Sequence, residues 1–392
     1  MAKSLSSDWE TQWRQIGHAQ HQAAQQLKSW LRRFDAFQPT PPLRPVPPVG
    51  EHAPGSLPGT WESHRLGLAP LPGELVPQLS YRLYIPSGAL SRRTGPMPVV
   101  VLLHGCRQTP EALAEGTRMN ALAEREGFMV AYPQQPLRRS VHRCWQWFDL
   151  GAEEGGREAQ AVAALIDELA ERPDVRAGEI YLAGLSAGAT MAALVALRYP
   201  EKVAAVGLHS GVVIGAADSP RAGLRAMEQG SATDPLVLLD AAGVTPGGPT
   251  MPAIVMHGLE DQAVHPVNGR LLARQFLAYN RMDDRLSVAM PPRVAAMAGA
   301  GAEAANEGVA NEGVANESVA NARVANERPA LRRGNYREAR FGRWNKDLVK
   351  LVEVAGLDHA WSGGDGRVEY HSSTGPDASA MMWEFFREHR RK

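Results

Sequence analysis

The sequence predicts an α/β fold built on a mostly parallel, doubly wound sheet, and three observations carry that expectation. Short apolar runs alternate with longer amphipathic stretches along most of the chain, the pattern of strands and covering helices. Runs such as Pro98-Val99-Val100-Val101-Leu102-Leu103 show no in–out alternation, as expected of strands buried on both faces. One apolar run, residues 180–183, leads straight into Gly184-Leu185-Ser186-Ala187-Gly188 and then into an Ala-rich helical stretch over 190–197. Strand, sharp turn and helix in that order form the setting in which a G-x-S-x-G serine is held exposed at the top of a sheet. Glycine supplies 38 of 392 residues, so the motif by itself is weak and its placement gives it weight.

Bulk properties set the frame. With 42 basic and 42 acidic side chains, no long-range field draws nucleic acid or an acidic membrane to the protein. A small molecule or a neutral polymer suits it better as substrate. Two cysteines rule out a scaffold built from disulfides. No apolar run approaches the ~20 residues that span a bilayer. The first residues lack the apolar core of a secretion signal, so a cytoplasmic location is expected. Neither a cofactor nor a metal is called for.

Before the main domain, Trp9, Trp13, Ile16, Ala23, Leu27, Trp30, Leu31 and Phe34 recur at helical spacing among polar residues. This single apolar stripe predicts an N-terminal helix that packs on the main domain, on a second copy of itself, or on a hydrophobic surface such as a lipid or polyester granule. Eight prolines between residues 39 and 58 mark an extended linker, so residues 1–60 form an appendage to a catalytic domain over 61–392. Within that domain, residues 81–85 read as an edge strand, and 98–103, 128–132, 180–183, 203–208, 252–257 and 348–354 read as further strands. Helices are expected over 110–126, 157–171, 221–228, 265–279 and 376–391, and the looser segment 210–250 has the length of a lid. Residues 305–329 repeat Ala-Asn-Glu-Gly-Val with drift. A period of five fits neither strand nor helix, which predicts a disordered insertion spanning about 292–335 without a catalytic role.

The chemistry follows from the frame. A serine hydroxyl becomes a nucleophile when a histidine takes its proton, and the imidazolium then needs a carboxylate beside it. These partners belong on loops at the carboxyl ends of strands, where an open parallel sheet forms its crevice. Asp261 follows the strand ending at His257, and His359 follows the last strand. The chain order Ser186, Asp261, His359 is that of α/β-hydrolases. Asp240 is the second choice for the acid. The oxyanion would be met by the backbone N–H groups of Ala187, just past the nucleophile, and of Cys106, in the loop His104-Gly105-Cys106 after an early strand. Trp145, Trp147 and Phe148 are candidates for the acyl pocket wall, with core packing an equal alternative.

Six separated segments go further than a superfamily pattern. They are His104-Gly105-Cys106-Arg107-Gln108; Gly116-Thr117-Arg118-Met119-Asn120; Arg143-Cys144-Trp145-Gln146-Trp147-Phe148; Gly184-Leu185-Ser186-Ala187-Gly188; His257-Gly258 with Asp261 and Val264-His265-Pro266; and Gly356 with His359-Ala360-Trp361-Ser362-Gly363-Gly364. Together they resemble the poly(3-hydroxybutyrate) (PHB) depolymerase family of esterases, from about Tyr81 to Glu388 without the repeat. The resemblance implies an α/β-hydrolase with Ser186 as nucleophile, Asp261 as orienting acid and His359 as base, acting through an acyl-enzyme on short-chain hydroxyacyl esters, polyhydroxyalkanoate oligomers or related esters. It also places His104 and Trp361 with Trp145 and Trp147 around the substrate. Feruloyl and acetylxylan esterases look similar, so the bond type is better fixed than the substrate. An alternative of another class is a protein that binds polyester granules through the N-terminal helix and keeps a vestigial site. Cys106 and Cys144 each sit in a family segment, where a bridge would pin the oxyanion loop to the aromatic loop; in a reducing cytoplasm free thiols are favoured. Many relatives of this kind are secreted, which makes an extracellular location the alternative.

Overall fold

The run at residues 98–103 forms β3 (Met97–Leu103), and its side chains divide between two cores. Val99, Val101 and Leu103 join one, whereas Val100 and Leu102 join the other. Successive strand residues point to opposite faces, so a strand covered on both sides must be apolar throughout. Each fully buried Val or Leu adds about 1.5–3 kcal/mol. The computed structural model describes residues 57–68, 78–88, 95–137, 139–151, 155–286, 335–343 and 346–391. The N-terminal amphipathic stretch, most of the Pro-rich segment and the pentapeptide repeat lie outside the described residues.

Nine strands form one sheet in the order β1-β2-β4-β3-β5-β6-β7-β9-β8. They are β1 (Thr60–Gly67), β2 (Gln78–Ile85), β3, β4 (Met129–Gln134), β5 (Val175–Leu185), β6 (Val206–His209), β7 (Ala253–Gly258), β8 (Tyr336–Arg343) and β9 (Lys346–Val354). The centre is parallel, with Val101 opposite Ala131 on one side and Leu182 on the other, and Val206 opposite Leu182 and Ala253. β1, β2 and β8 run antiparallel to their neighbours. The mostly parallel sheet, doubly wound by helices, is the α/β-hydrolase architecture expected from the sequence.

One face is covered by α3 (Gly155–Ala170), α4 (Ala187–Arg198), α5 (Pro220–Gln229), α6 (Pro235–Ala241) and α7 (Val267–Tyr279). The other is covered by α1 (Pro110–Thr117), α2 (Met119–Glu126) and α8 (Ala378–Phe386). The helix α4 is buried from Ala187 to Leu197, which explains why it is apolar all round rather than striped. At the far edge, Glu353 of β9 accepts hydrogen bonds from Arg270 Nε of α7 at 2.8 Å and from Arg337 Nε of β8 at 2.6 Å. This buried carboxylate ties three elements together. Burial works against its charge, but the two guanidinium groups outweigh it and hold the carboxyl below its ordinary range.

Several local expectations change. Residues 81–85 are not an edge strand, because β1 pairs along the whole of β2 and takes that position. The stretch 110–126 is two helices: Arg118 is left-handed at φ 54° and separates α1 from α2. Tertiary contact outweighs helical periodicity there, since the His371 ring packs on Gly116, and Asp365 donates its N–H to the Gly116 carbonyl at 2.8 Å. Segment 210–250 holds two helices where one was expected. Residues 236–239 lie in α6, which starts with Pro235 behind an Asp234 cap, so Asp240 sits exposed on a helix away from any strand end. β8, unforeseen from the sequence, pairs with β9 as a hairpin partner.

Candidate active site

Ser186 stands between β5 and α4 with φ 57° and ψ −122°. A non-glycine residue adopts such a backbone only when its surroundings enforce it. Both flanking glycines are needed for that turn. A Cβ on Gly184 would lie 2.4 Å from the Gly188 backbone, and one on Gly188 would lie 2.4 Å from the Leu103 carbonyl. Ser186 donates its N–H to the His209 carbonyl at 2.9 Å, which locks the turn to the end of β6.

Asp261 and His359 arrive from the ends of β7 and β9, neighbouring parallel strands. Their loops are joined directly: Leu259 N–H donates to Val354 O at 2.8 Å and Glu260 N–H to Leu357 O at 3.0 Å. Gly258 makes that approach possible, because a Cβ there would come within 2.3 Å of the Leu357 carbonyl. The outcome is a continuous chain of hydrogen bonds. His359 Nδ1 donates to Asp261 Oδ2 at 2.8 Å, and Ser186 Oγ donates to His359 Nε2 at 2.9 Å. The sequence predicted these three residues, and the structure brings them together.

The Asp261 carboxylate is fully enclosed. Its Oδ1 accepts the N–H groups of Ala263 at 3.0 Å and Val264 at 2.8 Å. Burial alone would favour the neutral acid, but His359 and His257 beside it hold the carboxyl well below the usual carboxylate range. The group is therefore held as an anion beside the two imidazoles.

The loop after β3 faces the serine. A Cβ on Gly105 would stand 3.4 Å from the Ser186 Cβ, so the chain passes Ser186 at contact distance. Among the described residues, neither the Cys106 nor the Ala187 N–H donates to a backbone carbonyl. Ala187 also opens α4, where amide dipoles favour negative charge.

A buried network holds this loop. Gly105 N–H donates to Gln108 Oε1 at 2.8 Å, His104 Nδ1 to Gly105 O at 2.7 Å, and Gln135 N–H to His104 Nε2 at 3.1 Å. Trp145 Nε1 donates to His104 O at 3.1 Å. Gln135 Nε2 bonds to Glu158 and donates to Cys144 O, and Gln146 N–H donates to Glu158 Oε2 at 2.7 Å. Cys106 and Cys144 are joined by a disulfide with their Cα atoms 4.2 Å apart. The bridge pins the loop after β3 to the aromatic loop, in place of the free thiols favoured for a reducing compartment.

Residues 79–291, more than half of the chain, match the esterase PHB depolymerase family. The chain belongs to that family. It is 31% identical over 204 residues to poly(3-hydroxyalkanoate) depolymerase C of Paucimonas lemoignei, an alignment covering 51% of this chain and 48% of that protein. It is 28% identical over 198 residues to acetylxylan esterase A of Talaromyces purpureogenus, covering 47% and 50%. The chain thus spans about half the length of these curated relatives. An acetyl xylan esterase structure from Aspergillus awamori shares the fold, with a TM-score of 0.55 at 17% identity over 83% of this chain and 98% of that one.

The residues expected around the substrate, His104, Trp145, Trp147 and Trp361, are all buried. His104 and Trp361 have no exposed surface, Trp145 has 1% and Trp147 has 4%. Burial, reinforced by the Arg143 charge, lowers His104 to about 4, so it stays neutral and keeps Nε2 as an acceptor for Gln135. Trp361 stacks on His209 at 5.2 Å between ring centres and donates Nε1–H to Ser379 Oγ at 3.2 Å. Trp147 packs edge-on against Phe148.

Two residues beside the site were given no role from the sequence: His209, which went unnoticed, and His257, which was quoted only as part of a family segment. His209, pushed down to about 3 by burial and by His257 and His359 nearby, accepts the Ser362 N–H at 3.2 Å and so anchors the loop that carries His359. His257 lies beside Asp261. His209 is the last residue of β6 and His257 the last but one of β7, the one signal by which their place beside the site could have been found.

Proposed function

We propose that this protein is a serine carboxylic-ester hydrolase, with Ser186 as nucleophile, His359 as general base and then acid, Asp261 as the orienting anion, and the N–H groups of Cys106 and Ala187 as oxyanion donors. The observation that carries the reading is the unbroken Ser186–His359–Asp261 hydrogen-bond chain at 2.9 and 2.8 Å. Ser186 Oγ attacks the ester carbonyl carbon while its proton passes to His359 Nε2. The carbonyl oxygen becomes an anion facing the two N–H groups. Collapse breaks the bond to the alkoxide, which takes the proton from His359, and leaves an acyl-serine. Water, deprotonated by His359, then attacks the acyl carbon and releases the acid. Asp261 stays ionised throughout.

As substrates we propose short-chain hydroxyacyl esters or polyhydroxyalkanoate oligomers, in keeping with the likeness to the Paucimonas lemoignei depolymerase. The acetylxylan esterase relatives favour a second reading, deacetylation of a carbohydrate ester, and feruloyl esters belong with it. Attachment to a polyester granule through residues 1–58 is a separate proposal, tested by deleting them and measuring granule association. The Cys106–Cys144 bridge favours an oxidising, extracellular setting over the cytoplasm.

Turnover of p-nitrophenyl esters of rising acyl length, 3-hydroxybutyrate oligomers, acetylated xylan and feruloyl esters tests these readings together. Wild type is expected to hydrolyse short acyl esters, and Ser186→Ala to fall by about a millionfold in kcat. Activity kept by the mutant would remove Ser186 from the role of nucleophile. The preferred natural ester decides between the substrate readings.

A further inference from the structure

We infer that His257 is a positioning residue for the reaction: protonated on Nε2 alone, it shares that N–H between Val264 O and Asp261 Oδ2 and thereby fixes the carboxylate that orients His359. The inference rests on the proposed role of the same site.

His257 is completely buried near the end of β7. Its Nε2 lies 2.9 Å from the Val264 carbonyl and 3.3 Å from Asp261 Oδ2. Both atoms only accept hydrogen bonds, so the proton belongs on Nε2. The other nitrogen agrees: Nδ1 is buried and has no hydrogen-bond partner among the described residues. A second proton there would be a donor with nowhere to donate, an expensive state in the interior.

Packing prevents the ring from leaving this pose. A Cβ on Gly269 of α7 would stand 2.8 Å from the His257 Cβ and 3.0 Å from its Nδ1, so the helix backbone presses against the imidazole. The Asp261 carboxylate is thus gripped from four sides. Oδ1 receives Ala263 and Val264 N–H, and Oδ2 faces His359 Nδ1 and His257 Nε2. The shared N–H also ties the carbonyl of Val264 to the loop's own carboxylate, which closes residues 261–264 into a rigid unit. Without it, Oδ2 is free to rotate away from His359, and the loss is felt in the transition state rather than in substrate binding.

Three variants with one spectroscopic measurement test this. The Gln side chain places a donor where imidazole Nε2 stands, whereas Asn is too short and Leu has none. His257→Asn and His257→Leu are expected to lose roughly tenfold or more in kcat on p-nitrophenyl butyrate with KM nearly unchanged, and His257→Gln to recover most of that rate. Spectra of 15N-histidine-labelled wild type at neutral pH are expected to show His257 protonated at Nε2 and bare at Nδ1. Wild-type kcat in His257→Asn, or an equal loss in His257→Gln, overturns the inference, as does a proton on Nδ1. If His257→Asn does not fold, the Gln variant and the spectrum decide. Failure of the catalytic reading looks different: wild type would be inactive or Ser186→Ala active, and the tautomer would still be read from the spectrum.

Discussion

Asp261 illustrates how a single buried side chain is held for the role proposed for it. Two backbone donors and two histidines keep it anionic inside the protein, so it holds the His359 proton on Nδ1 and leaves Nε2 for the serine. Asp261→Asn is expected to keep the fold and KM while lowering kcat by about ten-thousandfold, because an amide favours the wrong tautomer; steady-state kinetics beside a melting curve checks it. The residues of this chain were legible in sequence because each lies just past a strand, in a fixed order. The environments of Trp145, Trp147 and Trp361 were not. Whether an aromatic side chain faces a cavity or a core depends on residues far along the chain, such as Ser379 and His209 for Trp361. The contacts of His209 and His257 were missed for the same reason, since one histidine at a strand end has no local pattern to show what it will touch.

Elements bring those residues into contact through two close backbone approaches. One is the β5–α4 turn against β3, and the other is the end of β7 against the loop after β9. Gly258→Ala would drive a methyl into the Leu357 carbonyl and separate Asp261 from His359. Activity is expected to fall much further than stability, a split visible when kcat and the urea midpoint are measured on one preparation. The Arg270–Glu353–Arg337 cluster works at the same scale, holding α7 and β8 to β9. Glu353→Ala takes the shared anion from a buried guanidinium, Arg270, and a half-buried one, Arg337, and is expected to cost about 3 kcal/mol; an unchanged denaturation midpoint would remove the cluster from the stability of that edge. The central strands were readable because burial on both faces requires unbroken apolar runs. The break at Arg118 and the strand β8 were not, since the contact of Gly116 with His371 and the pairing of β8 with β9 are set by tertiary structure.

Across the whole molecule, the buried histidines set the response to acid. His104 and His371 are lowered to about 4 and His209 to about 3, each chiefly by burial. The unfolded chain binds protons on these groups below about pH 6.5, while the folded protein does not. Stability is therefore expected to fall as pH drops below that value, and their contribution levels off near the folded values. Glu353 and Asp261, held below the carboxylate range, extend the loss to lower pH as they are protonated. Urea unfolding between pH 7 and 4.5 is expected to give a loss on the order of 1 kcal/mol or more per pH unit; a flat profile would show that these histidines are open to solvent. A fold legible from its apolar runs delivers Ser186 to the turn after β5, where we propose that it acts as an activated nucleophile. Labelling the intact protein with a fluorophosphonate and mapping the adduct by mass spectrometry tests it most directly. A single adduct on the peptide containing Ser186, strongly slowed in His359→Ala, is the expected result; no adduct, or one on another residue at the same rate, would contradict it.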